Sequence, residues 1–154
     1  ALCAIAVGGI GLKIATGLNT VDLAAATPTY AEVVSMETLV AADNADIGTL
    51  AYLVNATGRG GLKGATKDSG SGQFVWEAGN TVNGYRAEVS NQVESGDFWY
   101  GNWADVMIGY WSGLDILVDP YSNSTSGTIR VVALQDVDVA FRHGESFTRA
   151  NNTL

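Results

Sequence analysis

The sequence predicts an α+β fold, and three observations predict it. Two segments with helical character, residues 29–44 and 57–67, alternate with short apolar strands and are then followed only by strands, an order unlike that of a doubly wound sheet. From residue 128 to 142 the odd positions Ile129, Val131, Ala133, Val137, Val139 and Phe141 are apolar, broken only by Gln135, while Arg130, Asp136, Asp138 and Arg142 occupy even positions. That is the period-two pattern of a strand with one wet face. Between these regions, residues 96–121 hold Phe98, Trp99, Tyr100, Trp103, Tyr110, Trp111 and Tyr121, half of the chain's four Trp, six Tyr and four Phe. Aromatics in that density must be covered by the rest of the fold or by a partner.

In chain order, residues 1–20 are small, apolar and punctuated by glycine. Gly8, Gly9 and Gly11 do not complete a phosphate-cradling G-x-G pattern and lack its strand–turn–helix setting, so a flexible packing segment is expected. Residues 29–44 form the clearest helix. Thr27 and Pro28 fit N-cap and first-turn positions, and Thr29 with Glu32 offers an alternative capping box. Tyr30, Val33, Met36 (or Val34) and Val40 recur at helical spacing as a stripe to lay on a sheet. Residues 50–55 read as a buried strand. Residues 57–67 read as a weaker helix with interior glycines, on which Arg59, Lys63 and Lys67 share a face. As an interface stripe that face would meet acidic neighbours, but charge runs are ordinarily solvated, and the solvated reading is preferred. Asp68-Ser69-Gly70-Ser71-Gly72 is a polar loop, residues 73–77 a strand, Gly79-Asn80 a turn, and residues 83–93 a strand with Tyr85, Ala87 and Val89 on one side. Residues 114–118 are a further strand, ended by the turn-like stretch 119–127.

Fifteen residues (128–142) of β conformation reach about 50 Å, against a usual strand length of about 5–6 residues. A domain of 154 residues is only about 30 Å across. The run is therefore expected to project beyond its globule and to meet something outside the chain.

Composition narrows the function. The chain is 47% hydrophobic and only 16% charged, so much of its surface is neutral or covered by other subunits. A net charge of −8 opposes nucleic-acid binding and binding to anionic membrane. Cys3 alone makes no internal disulfide, which points to the cytosol. The chain opens on Ala1, with no charged region before its apolar start, and is expected to be a fragment of a longer protein.

Candidate chemistry is sparse. His143, the single histidine, has no G-x-S-x-G elbow to complete a hydrolytic triad. Asp136, Asp138 and Glu145 do not follow a calcium-loop pattern and read as solvated carboxylates. The acid pairs Asp43/Asp46 and Asp115/Asp119 have no accompanying base. Sequons at Asn55, Asn123 and Asn151 carry no weight without a secretion signal. No catalytic residue, metal ligand or cofactor-binding residue is expected.

Several stretches resemble the central and C-terminal parts of tailed-bacteriophage major capsid proteins of the Hong Kong 97 type. They are Pro28-Thr29-Tyr30-Ala31-Glu32, Ala51-Tyr52-Leu53-Val54-Asn55, Asn83-Gly84-Tyr85-Arg86-Ala87, Gly101-Asn102-Trp103-Ala104-Asp105, Gly113-Leu114-Asp115-Ile116-Leu117-Val118-Asp119-Pro120-Tyr121, and the close from Val131 through Glu145-Ser146-Phe147. The order and spacing carry the resemblance, over nearly the whole chain. It implies a wedge-like axial domain of mixed sheet flanked by helices over residues 28–104. Residues 1–27 would join from a missing N-terminal part, and residues 105–154 would form a long β ribbon returning to a peripheral domain. It also implies a non-enzymatic shell subunit of a phage or prophage capsid enclosing DNA, assembled in the bacterial cytoplasm. Its partners would be copies of itself, in pentamers and hexamers of the full-length protein, with no cofactor, membrane or sequence-specific nucleic-acid contact. The fragment alone would be monomeric or weakly associated. The loop Lys67, Asp68, Ser69, Gly70, Ser71 and Gly72 would be the assembly contact at the centre of each ring. The cross-linking chemistry of some relatives is not carried over to Asn123. Rival readings are an encapsulin-like nanocompartment shell, a carbohydrate-binding module using Trp99, Trp103 and Trp111, and a hydrolase built on His143.

Overall fold

The first helix forms where the sequence supplies its own cap. In the computed structural model, which describes residues 17–70, 72–122 and 124–152, α1 runs Tyr30–Ala42. The Thr29 side chain accepts from the Glu32 N–H while the Glu32 carboxylate accepts from the Thr29 N–H, so the capping box rather than Thr27 sets the start. Val33, Met36 and Val40 are buried on its inner face. The opening up to residue 16 (with Cys3 and the Gly8–Gly11 stretch), Ser71 of the polar loop and the sequon residues Asn123 and Thr153 lie outside the described residues.

The strands β1 (Asn19–Asp22), β2 (Leu50–Val54), β3 (Trp76–Glu77), β4 (Thr81–Val82), β5 (Tyr85–Val89), β6 (Phe98–Asn102) and β11 (Phe147–Asn151) make one mixed seven-stranded sheet, ordered β1-β11-β6-β2-β5-β4-β3. β1 with β11 and β2 with β5 are parallel; the other neighbours are antiparallel. α1 and α2 (Ala56–Gly64) cover one face. Against them Tyr52, Val54, Ala87, Phe98, Tyr100 and Ala150 point inward and pack with Leu62, Val75 and Val82. The opposite face carries a smaller cluster, Val93 and Trp99 with Leu18, Leu53, Trp103 and Phe141 around them. β6 lies between β11 and β2 with material on both faces, so all five of its residues are buried. A central strand of this kind reads as a continuous apolar run rather than as an alternation.

Four further strands leave the sheet. β7 (Val106–Tyr110) pairs antiparallel with β10 (Val137–Phe141), and β8 (Asp115–Asp119) with β9 (Arg130–Leu134). The expected single strand over residues 128–142 is thus two strands interrupted at Gln135 and Asp136. Between the paired ends Tyr110–Val137 and Asp115–Leu134, four residues on one side face two on the other. The mismatch is closed by Trp111 N–H to the Asp136 carbonyl (3.1 Å) and Asp136 N–H to Ser112 Oγ (3.1 Å). Such an excess on one strand is a bulge, which bends and twists a ribbon without ending it.

Other expectations shift for local reasons. α2 is capped by Asn55, whose side chain accepts from Gly58 N–H at 2.6 Å, and it ends at Gly64. Residues past it are drawn into an extended bridge between Thr66 and Phe74, so Lys67 is not on a helical face with Arg59 and Lys63. The strand expected over 83–93 is confined to β5, because Asn83 and Gly84 take positive φ (49° and 83°) as the β4–β5 turn. The segment expected as ribbon over 105–154 divides: Val106–Phe141 is ribbon, while Phe147–Asn151 re-enters the sheet between β1 and β6.

Candidate functional site

The ribbon is where the molecule leaves apolar surface in water. Cross-strand partners share a face of an antiparallel pair. In β8–β9 one face therefore presents Ile116 with Ala133 and Val118 with Val131, flanked by Leu114 and Ile129. Leu114, Ile116, Val118, Ile129 and Val131 are each between 56% and 64% exposed. The other face mixes Asp115, Asp119 and Arg130 with Leu117 and Leu134, both 60% exposed. In β7–β10, Val137, Val139 and Phe141 are half-buried while their partners Tyr110 and Ile108 are exposed. Trp111 and Tyr121, at 72% and 83%, complete the surface. Large apolar side chains exposed as neighbours on one face, rather than scattered singly, mark an interaction surface. A two-stranded ribbon is also marginal alone in water and needs a covering layer.

The aromatic block expected from sequence is thereby split. Phe98, Trp99 and Tyr100 are covered by the fold, Trp103 is half-buried, and Tyr110, Trp111 and Tyr121 are left for something else. Trp99, Trp103 and Trp111 form no common platform of the kind a sugar-binding reading would need.

The ribbon is rooted firmly. The Asp105 carboxylate accepts from Ser146 Oγ (2.8 Å) and Asn102 Nδ2 (3.1 Å), and its carbonyl accepts from Arg142 N–H (3.0 Å). Phe147 takes edge-on contacts from both Trp103 and Phe141, with ring centroids 5.5 and 5.2 Å away. At the turn end, Asp119 accepts from the Ser122 hydroxyl and from the N–H groups of Tyr121 and Ser122, which hold its carboxyl below the usual range.

The loop named from sequence, of which Lys67 to Gly70 and Gly72 are described, follows α2 and leads toward β3 at the edge of the sheet, beyond the Thr66–Phe74 bridge. Lys67 N–H donates to the Gln73 carbonyl (2.8 Å) and closes its base. The Lys67 ammonium is committed within the chain, to Glu77 Oε1 at 2.5 Å and over the Tyr30 ring at 5.2 Å. The bond to Glu77 raises the lysine pKa, and the same bond lowers that of Glu77. An ion pair between Lys67 and Asp68 of adjacent copies, the pairing that the loop's sequence suggests, would have to compete with this one. Asp68, Ser69, Gly70 and Gly72 are exposed, and Gly70 and Gly72 sit at φ 131° and 66° with open space around them.

His143 is exposed and caps a short 3-10 turn through its backbone, with no side-chain cap bond. Among the described residues no group of three or more His, Cys, Asp or Glu is placed to hold a metal ion, and no helix is long and apolar enough to cross a membrane. Sequence reasoning had no sign of the shallow groove beside the loop, lined by Lys63, Phe74, Trp76 and Ala78, because it exists only once β3 folds over α2.

A helix-backed mixed sheet with a long projecting apolar ribbon is the architecture of the Hong Kong 97-type viral shell subunit. The virus-like particle of Pyrococcus furiosus superposes with a TM-score of 0.64 at 14% identity, over 91% of this chain and 58% of that one. The Mycobacterium phage Che8 chain gives 0.63 at 16% identity, over 87% and 53%. In sequence, the major capsid protein of Halomonas phage phiHAP-1 is 37% identical over 123 residues, 80% of this chain and 20% of that protein. Residues 6–152 match the phage capsid family, and the chain belongs to it. It spans about a fifth of the length of that curated relative.

Proposed function

We propose that this chain is part of a self-assembling, non-catalytic subunit of a phage or prophage shell that encloses DNA, and that its ribbon is buried against neighbouring copies. The observation that carries this reading is the face Leu114, Ile116, Val118, Ile129 and Val131, apolar and more than half exposed in a chain of low charge. The sheet with its two helices serves as the axial domain, built around residues 28–104 and completed by β1 and β11. The ribbon serves as the part returning to the periphery. The loop Lys67 to Gly72 lies where copies meet in pentamers and hexamers, assembled in the host cytoplasm. The virus-like particle among its structural relatives keeps a nanocompartment shell as the second reading, and the 37% identity to a phage major capsid protein favours the first.

The test is expression of the full-length protein followed by sedimentation and electron microscopy. Closed particles are expected from the full-length protein, and monomers or weak oligomers from residues 1–154 alone. A full-length protein that stays monomeric at high concentration would overturn the reading.

A further inference from the structure

Asn83-Gly84 is the chain's single Asn-Gly pair. Asparagine before glycine is the pair most open to self-cyclisation, because glycine puts no side chain in the way of its own nitrogen. The Gly84 nitrogen attacks the Asn83 Cγ, the Cγ–Nδ2 bond breaks, and ammonia leaves. Water then opens the resulting succinimide to aspartate or isoaspartate, so one water is consumed and one ammonia released. In this fold the pair makes the two-residue connection between β4 and β5, with Val82 opposite Tyr85. Asn83 and Gly84 both take positive φ, 49° and 83°, which is the type I′ hairpin turn. In that turn ψ of the first central residue is about +30°, so the Gly84 nitrogen lies across the Cα–C bond from the Asn83 Cβ. A five-membered ring needs the two on the same side.

The side chain is held as well. Tyr30 Oη donates to Asn83 Oδ1 (2.8 Å), and Asn83 Nδ2 donates to Glu37 Oε2 (2.7 Å), while the other Glu37 oxygen accepts from the Tyr52 hydroxyl. Gly84 N–H donates to Glu77 Oε2 at 3.3 Å. Ring closure therefore requires the turn to open and the bonds around the pair to break. The product does not fit back. An aspartate at position 83 sets a carboxylate where the amide donated to Glu37, which brings two like charges together without a donor between them. An isoaspartate adds a main-chain atom to a loop whose two-residue length sets the Val82–Tyr85 register. We propose that Asn83 is a conditional deamidation site, closed in the folded chain and reactive only when the β4–β5 turn opens, and that the change bars the turn from closing again. A chain that has opened is thereby marked where α1 meets the sheet, whatever the chain assembles into.

The experiment follows the mass gain of the peptide carrying Asn83 in full-length protein, incubated at one mildly alkaline pH with and without urea. Deamidation in the folded protein is expected to be at least about tenfold slower than in urea, as for a group that reacts only through local opening. Equal rates would overturn the proposal. Tyr30→Phe removes the hydroxyl from Asn83 Oδ1 and should speed the reaction in the folded protein while leaving the rate in urea unchanged. An unchanged rate in the folded variant would overturn the part given to the side-chain bonds. As a second measurement, Asn83→Asp should lower the urea midpoint, and Glu37→Gln in the same chain should restore most of it, because the introduced amide can donate to the carboxylate at position 83. An Asn83→Asp chain as stable as the parent, or one that Glu37→Gln does not rescue, would overturn the one-way step.

Discussion

Replacing Val131 with aspartate separates folding from assembly. Val131 is 62% exposed and pairs across the ribbon with Val118, 56% exposed. Within the isolated chain the substitution removes one cross-strand apolar pair, worth about 0.2–1 kcal/mol. The core is untouched, so the urea midpoint of residues 1–154 should shift by little. On the shell reading proposed above, the same position is covered in the assembled particle. About 90 Å² of valine surface then leaves water, a contribution of about 2 kcal/mol per copy at about 25 cal/mol/Å². Aspartate forfeits that and adds the cost of a carboxylate buried without a partner, several kcal/mol more. A shell contact offsets an association cost of the same order, so particle yield from the full-length variant should collapse. Phe98→Ala is the control with the opposite signature: Phe98 is 2% exposed in the core, and its loss should cost about 3–5 kcal/mol of stability in the chain itself. Paired assays, urea unfolding of the chain and sedimentation of full-length particles, read both effects. Normal particle yield from Val131→Asp, or a large loss of stability in the isolated chain, would refute the reasoning.

Three further expectations concern the sheet. Gly101→Ala places a Cβ 2.5 Å from the Ser146 carbonyl oxygen and 2.9 Å from Phe147 Cα, so β6 and β11 must part; a loss of about 1–3 kcal/mol is expected in urea unfolding, and an unchanged midpoint would contradict the close approach. Arg149→Met leaves Asp97, 5% exposed, without the guanidinium 2.9 Å away; about 3–5 kcal/mol should be lost, with less than additive loss when Asp97→Asn is combined with it. Burial raises the Glu37 pKa above its ordinary value, against the lowering effect of hydrogen bonds from Tyr52 and Asn83. A raised folded value means a stability contribution present below the unfolded pKa and lost as pH rises through the folded one. The unfolding free energy of the parent relative to Glu37→Gln should therefore decline as pH rises out of the usual carboxylate range, and a difference that is flat or grows with pH would show that desolvation does not dominate there.

What could be read from sequence was what depends on near neighbours. The capping box at Thr29 and Glu32, and the stripe Val33, Met36, Val40, are written within a dozen residues, and α1 forms as they direct. The ribbon's alternation survives for the same reason, since odd positions from Val131 to Phe141 keep apolar side chains on one side of each pair. The failures are non-local. Phe98, Trp99 and Tyr100 differ little in composition from Tyr110 and Trp111, yet only the first three are covered, because β6 is paired on both edges by strands far away in the chain. The interruption at Gln135 and Asp136 depends on how many residues the opposite strand contributes, which no pattern within one strand records. Lys67 sits at a helical interval from Arg59 and Lys63, but the bridge to Phe74 ends the helix before it. Of the candidate assembly surfaces, the loop was visible as a polar, glycine-bearing stretch and the ribbon as an overlong one. The shallow groove at Phe74 was invisible, since it belongs to packing rather than to spacing.

The order in which the chain builds the sheet bears on how the ribbon works. β6 leads out into the ribbon and β11 leads back from it, and the two are themselves hydrogen-bonded neighbours, with Phe147 opposite Gly101. The excursion therefore starts and ends at one point on the sheet, where Asp105, Ser146 and the rings of Trp103, Phe141 and Phe147 lock both strands together. The ribbon is thus clamped at one root, and the bulge opposite Gln135 and Asp136 is the place along it where a two-stranded ribbon bends and twists most easily. On the shell reading proposed above, a subunit placed in both pentamers and hexamers would need that division. Packing at the root would then fix which surfaces meet, and the bulge, which has no core of its own, would absorb the difference in angle between the two rings.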